Sequence, residues 1–387
     1  MNILLIGNGF DLAHGLPTRY TDFLEFIKIM KAVNDKELKC DGTINWGGAI
    51  EKCILNYYRL PMRIKWEIIA QLKDIWKKGS EEIEELLSLI ADNFWLEYFL
   101  ECPMYQKENW IDFESEISRI IRSIDNDMRE KDFDGQIQEL TNEYLSDRYL
   151  HDGMSRNGFG EWPGICKITY RELRDALLKD LNRLIRILEI YLYSLVARIP
   201  CNGILPDVQD ICFDKVLSFN YTDTYRKKYD KQGRAEYDFI HGRADAAHTI
   251  ATNNMVLGID EYLSAERKDA DVEFIAFKKY YQRIYKETGC YYKKWLRELE
   301  TDNLIGQQKR HDLYIFGHSL DVTDKDVLRD LILHDHVNTT IFYFNKDDFG
   351  AKITNLVRVI GQDELIRRTG GDTKTIWFKQ QQEYISM

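Results

Sequence analysis

The stretch Gly7-Asn8-Gly9-Phe10-Asp11 follows directly on the apolar run Met1 to Ile6 and leads into Gly15-Leu16-Pro17-Thr18. Glycines lack a Cβ, so such a loop turns sharply and admits a phosphate close to the backbone, as in nucleotide-binding strand-loop-helix units. The same spacing also serves plain turns. Other short apolar runs in the 387-residue chain end in polar residues. These ends are Ser218-Phe219-Asn220-Tyr221-Thr222, His241-Gly242, Gly258-Ile259-Asp260-Glu261 and Gly317-His318-Ser319-Leu320-Asp321. Ligands of open parallel sheets bind at the carboxyl ends of strands. Strand ends bearing Gly, Asn, Asp, Ser and His therefore point to a nucleotide site more strongly than one glycine loop does. Each residue also has a plain structural role. Asn220 suits a turn, and Asp11, Ser319 and Asp321 suit helix caps, as do Thr323 and Asp324 for the helix that follows. His241 suits a buried structural histidine.

The elements that carry these ends follow from periodicity. Short β-rich runs lie at 1–6, 215–219, 237–240, 255–259, 312–316, 339–344 and 375–378, and several are apolar on both alternations, as a sheet covered on both faces requires. The expectation is an α/β fold, a Rossmann-like, mostly parallel sheet of six or seven strands. Its residues are 1–40 and 205–387, and a helical insertion at 41–204 follows the first strand-helix unit. Phe23, Leu24, Ile27 and Met30 mark a helix over 20–33, with Thr18 or Thr21 as its cap. Helical patterns fill 49–100, and Phe113, Ile117, Ile120, Ile121 and Ile124 mark another helix. Residues 132–167 read as a long surface loop or lid. Leu177, Leu181, Leu184, Leu188, Tyr191 and Leu195 repeat in near-heptads along a helix over 170–199, which fits packing within the chain or an oligomer contact.

Composition narrows the class. A hydrophobic share of 44% and only 6 prolines describe a chain with ample core. A net charge of -11 gives no general basic footprint for nucleic acid. Basic-aromatic runs at Lys278-Lys279-Tyr280-Tyr281 and Tyr291-Tyr292-Lys293-Lys294-Trp295 fit single-stranded nucleic acid or, more simply, helix faces with snorkelling lysines. The 7 cysteines form no Cys-x-x-Cys pair, so structural zinc is not expected and a reducing cytoplasm is. His334-Asp335-His336 reads as a helix C-terminus, because residues two apart on a helix do not share a face. No signal peptide and no membrane span are expected.

Taken together, the motifs from Gly7-Asn8-Gly9-Phe10-Asp11 to Phe316-Gly317-His318-Ser319-Leu320-Asp321 resemble the bacterial AbiH family of phage abortive-infection proteins. The resemblance covers most of the chain, and Trp110-Ile111-Asp112-Phe113-Glu114 looks like a further recurring stretch of that family. More distantly, the series is similar to the sirtuin-like NAD-binding fold. The glycine loop with Gly15 and Pro17, Asn220 after a buried strand, His241 before Gly242, and Gly317 with Ser319 fall in the order of that fold's motifs. The resemblance implies an NAD site lined by Gly7, Asn8, Gly9, Asp11, Pro17, Thr222, Asp260, Gly317, Ser319 and Asp321. Asn220 would contact the ribose or the attacking water, and His241 would act as general base. The chain departs from sirtuins at Asp11, at Thr18-Arg19-Tyr20 and at Thr222, and it lacks the four zinc cysteines, which argues against deacetylation. What remains is hydrolysis of NAD to nicotinamide and ADP-ribose in antiphage defence, with no other cofactor required. Cleavage develops positive charge on the ribose; a base of near-neutral pKa and carboxylates such as Asp11 and Asp260 suit it. Two alternatives stand beside it: a non-catalytic nucleotide sensor within a defence complex, and a metal-dependent nuclease using Asp11 and Asp260. A phage-derived trigger, a partner defence protein and a homo-oligomer complete the expectation.

Overall fold

The computed structural model describes residues 1–34, 39–40, 43–44, 51–52, 54–55, 60–78, 81–108, 111–129, 131, 133–151, 168–201, 203–263, 267, 272–304 and 310–382. Six strands form one sheet: β1 (Asn2–Ile6), β2 (Lys215–Ser218), β3 (Glu236–Phe239), β4 (His311–Phe316), β5 (Val337–Tyr343) and β6 (Ile376–Gln380). All neighbours run parallel, in the order β3-β2-β1-β4-β5-β6. This is the doubly wound order. The apolar run of β1 is continuous because both its faces are buried. Ile3 and Leu5 enter one core, with Leu313, Ile315 and Trp295. Leu4 and Ile6 enter the other, with Phe10, Val216 and Phe316. The chain steps outward from β1 to β2 and β3, then returns to lay β4 to β6 on the other side. The loops after β1 and β4 therefore emerge side by side, at the switch point where such sheets bind ligands.

The seventh expected strand is not in the sheet. Residues 255–259 are extended, and Met255, Leu257 and Ile259 are buried in the helical core. The backbone there finds its partners outside any ladder. Leu257 exchanges two hydrogen bonds of 3.1 Å with the Gln282 amide. Val256 N–H donates to the His241 carbonyl at 2.8 Å, and the Tyr221 hydroxyl donates to the Val256 carbonyl at 2.7 Å. An apolar run shows that a segment is buried but not what pairs with it.

The helices that matter to the site are α1 (Asn8–Ala13), α2 (Tyr20–Asn34), α3 (Phe113–Met128), α4 (Tyr170–Ile190), α5 (Lys279–Tyr285) and α6 (Lys325–Ile332). Neither expected threonine caps α2. Thr18 donates instead to Asn8 Oδ1 at 2.6 Å, and Asp22 accepts from the Arg19 N–H at 3.1 Å. A capping box of Thr169 and Glu172 starts α4, whose near-heptad residues are all buried in the same core as α2 and α3. Those residues therefore serve packing within the chain. Within the stretch expected as a loop, a short helix spans Glu143–Ser146 and a π-helical turn spans Asp147–His151. Residues 132 and 152–167 of that stretch lie outside the described residues, as does Trp110.

Candidate active site at the carboxyl ends of the strands

Glycine is required in the first loop because the loop meets the loop after β4. A Cβ on Gly9 would lie 2.7 Å from Gly317 Cα, and one on Gly7 would lie 2.7 Å from His318 Cα. Gly317 holds a φ of +68°. A Cβ there would lie 2.2 Å from Phe10 N. The Gly7 and Gly9 amides donate to the carbonyls of Phe316 and Gly317 at 3.1 and 2.8 Å. These two amides are thus spent inside the protein and cannot cradle a phosphate as the sequence suggested. The Asn220 amide donates to the Gly7 carbonyl at 3.0 Å, tying β2 to the same junction. Pro17 accepts the Tyr191 hydroxyl at 2.8 Å, which links the loop to the helical array.

The remaining expected residues divide. Asp11 is buried, and its Oδ2 accepts the Thr222 hydroxyl at 2.5 Å. Its Oδ1 is buried with no hydrogen-bond partner among the described residues. Burial pushes the Asp11 carboxyl up from 3.8 to about 6 against the pull of the Thr222 and Thr224 hydroxyls. Asn8 and Ser319 are exposed. Asp321 caps the next turn by accepting from Thr323 N–H at 3.0 Å. Asp260 is half-buried and lies 4.0 Å from Lys325 Nζ; burial raises its carboxyl. No contact joins Asp260 to Asp11.

Because Asp321 does the capping, Asp324 is released from the role expected of it and turns inward. Its Oδ1 lies 3.4 Å from His241 Nε2 and 3.3 Å from Lys279 Nζ, and its Oδ2 lies 3.5 Å from His318 Nε2. Lys279 Nζ also reaches Glu114 Oε2 at 2.8 Å. Glu114 sits in the first turn of α3, which Asp112 caps by accepting from the Glu114 N–H at 3.0 Å. Phe219, at the end of β2, packs between the imidazoles, with ring centroids 4.3 Å from His318 and 5.5 Å from His241. His318 Nδ1 accepts from Leu320 N–H at 2.9 Å, so in the neutral ring the proton sits on Nε2, facing Asp324. Leu320 adopts a φ of +60° to present that N–H, a strained conformation of the kind found at functional sites.

Burial and charge set the protonation states. Burial pushes His241 down to about 4, although Asp324 pulls it up. The ring is therefore a neutral base at physiological pH, well below the near-neutral value expected. Burial opposes the Asp324 carboxylate, but Lys279 and the two imidazoles outweigh it and hold the group well below the usual carboxylate range. Burial likewise works against the Lys279 ammonium, and Asp324 and Glu114 hold it above its ordinary value. Glu114 is pushed up by burial to about 7 in spite of Lys279. Lys278 and Lys279, expected to snorkel, are both buried in ion pairs. His241 Nε2 makes no hydrogen bond of good geometry; its 3.4 Å contact with Asp324 is electrostatic.

Sequence reasoning missed Asp324, Lys279 and His318 as site residues and noted Glu114 only within a recurring family stretch. The one signal that bore on them was the recurring stretch ending in Glu114. Among the described residues, no group of three or more His, Cys, Asp or Glu side chains is arranged to hold a metal ion. No helix among them is long and apolar enough to cross a membrane.

A doubly wound parallel sheet, with titratable side chains gathered where its strands end and a helical array reaching in from one side, defines a Rossmann-like α/β protein. The chain belongs to the bacteriophage abortive infection AbiH family, whose family model matches residues 3–345. That span holds every residue of the cluster. No curated protein and no solved structure matches the chain.

Proposed function

We propose that this abortive-infection protein defends against phage by hydrolysing NAD to nicotinamide and ADP-ribose, with His241 as general base. One observation carries the reading: an ionised carboxylate, Asp324, faces a ring nitrogen of a buried neutral histidine at the strand ends. A carboxylate beside Nε2 favours the tautomer with its proton on Nε2, which leaves the Nδ1 lone pair to accept one. In the proposed reaction the C1′–N bond breaks and its electron pair neutralises the nicotinamide ring. Water adds to C1′ and gives a proton to Nδ1, and Asp324 stabilises the imidazolium. Asp11, in α1, supplies negative charge near the developing cation. The 3.4 Å contact is long for a hydrogen bond, as catalytic contacts without substrate often are. The nuclease alternative gains no support, because Asp11 and Asp260 have separate surroundings.

The test uses NAD in cells as well as in solution, because a defence enzyme that destroys NAD must be held off until infection. NAD content is followed after phage challenge in cells expressing the parent, His241→Ala or Asp324→Asn, alongside nicotinamide release by the purified proteins. The expected result is NAD loss on infection in the parent alone. Protection from phage with NAD unchanged sinks the reading; tight NAD binding without turnover in both assays favours the sensor alternative.

A further inference from the structure

We propose that Lys279 is a positioning residue for His241, acting through Asp324, and that Glu114 carries its influence to the helical array. The inference rests on the reading of His241 as the base. Lys279 Nζ and His241 Nε2 share one oxygen of Asp324, at 3.3 and 3.4 Å, and Lys279 reaches Glu114 on its other side at 2.8 Å. The side chains of Lys279, Asp324 and Glu114 are 4%, 13% and 17% exposed, so solvent screens these contacts weakly.

Charge balance separates this arrangement from a structural ion pair. One lysine needs one acid. Here two acids share one lysine, and with both ionised they leave one negative charge in a buried site, a costly state that burial relieves by raising Glu114 to about 7. A proton arriving on His241 brings the cluster to neutrality. The surplus acid thus matches the charge that a general base acquires in its reaction, and Lys279 sets how much of Asp324 remains for the imidazolium. The groups facing His241 are Asp324, Lys279 and Arg283, with the rings of Phe219 and Tyr221 beside it and His318 across the same carboxylate.

The lysine sits at the start of α5, just after residues 274–277, whose Phe274 and Phe277 belong to the helical core. The glutamate opens α3, and Phe113 beside it stacks on Tyr20 of α2 at 4.0 Å. A shift of that array therefore changes the Glu114–Lys279 contact before it reaches any residue of the sheet.

The experiment is an NMR titration of full-length, histidine-labelled protein, with the His241 signal assigned by its loss in His241→Gln. Lys279→Met removes a positive charge facing the ring, and His241 is expected to titrate about one pH unit higher or more. Lys279→Arg restores the parent behaviour. Glu114→Gln leaves the titration in place, because Glu114, raised to about 7, already holds its proton at the pH where His241 titrates. Simple loosening of the site moves both variants up, toward the ordinary histidine value, and that result overturns the proposal, as does an unmoved titration in folded Lys279→Met. Should Lys279→Met fail to fold, Lys279→Gln takes its place with the same upward shift expected. An upward shift in Lys279→Met alone, with NAD unchanged in phage-challenged cells that are protected, upholds the positioning role and sinks the NAD reading. Cleavage with an unmoved His241 does the reverse.

Discussion

Asp11 offers the most direct measurement. It is 1% exposed; one oxygen is bonded to Thr222 and the other has no partner among the described residues. Burial raises its carboxyl from 3.8 to about 6. Between those values the folded state holds a proton that the unfolded state has released, so the group's contribution is intact below about pH 4 and is lost as pH rises through 6. The difference is worth about 3 kcal/mol above pH 7. Asp11→Asn removes the ionisation and keeps an oxygen for Thr222. An amide NH2 that finds no acceptor costs about 1 kcal/mol, leaving an expected net gain of about 1–3 kcal/mol. Urea denaturation of parent and variant at pH 8 and pH 4 checks this. The variant is expected to be the more stable at pH 8 and, with only the amide cost left, about 1 kcal/mol the weaker near pH 4. A variant that is equal or weaker at pH 8, or a gain that does not change with pH, would refute the account, because Asp11 would then be stabilised as a carboxylate. A buried charge that weakens the fold fits a residue kept for function, so nicotinamide release is expected to fall in the same variant that gains stability.

Other predictions follow from the same geometry. Gly317→Ala places a Cβ 2.2 Å from Phe10 N at a positive φ and is expected to cost about 3 kcal/mol or more, whereas Gly350→Ala, in the helix Lys346–Ile360 with nothing within 4 Å, is expected to stabilise by about 0.5–1 kcal/mol; thermal denaturation separates them. Asn220→Ala loses the 3.0 Å bond to the Gly7 carbonyl, with an expected cost of about 1 kcal/mol and faster amide exchange at residues 7–9 by mass spectrometry. Nicotinamide release is expected to fall in two steps as pH drops, through about 6 where Asp11 gains its proton and through about 4 where His241 does; Asp11→Asn keeps only the lower step, and an acid limb at pH 6–7 in that variant argues for an imidazole in ordinary surroundings.

What the sequence disclosed and what it hid divide along a physical line. A strand buried on both faces must be apolar throughout, so β1 and β2 are visible as runs, and the polar residues where they stop mark the carboxyl ends. Asn220, His241 and Gly317 are legible on that ground. Their partners are not. Lys279, Glu114 and Asp324 are residue types that ordinarily face water, they sit at helix starts where charge is unremarkable, and only tertiary pairing makes their burial tolerable. Asp324 was hidden further by Asp321, since either could have capped the turn and the choice is made in three dimensions. The misread run at 255–259 belongs to the same class, because its backbone partners include the side chains of Gln282 and Tyr221. The hidden residues share one more property. Around His241 the sheet supplies imidazole and aromatic groups, while the lysine and the acids come from helix starts, one of them in the helical array. A change confined to α3 that lifts Glu114 away from Lys279 would alter the charge around His241 while every strand stays in place. The proposed hydrolase can then be held silent and released from outside its sheet.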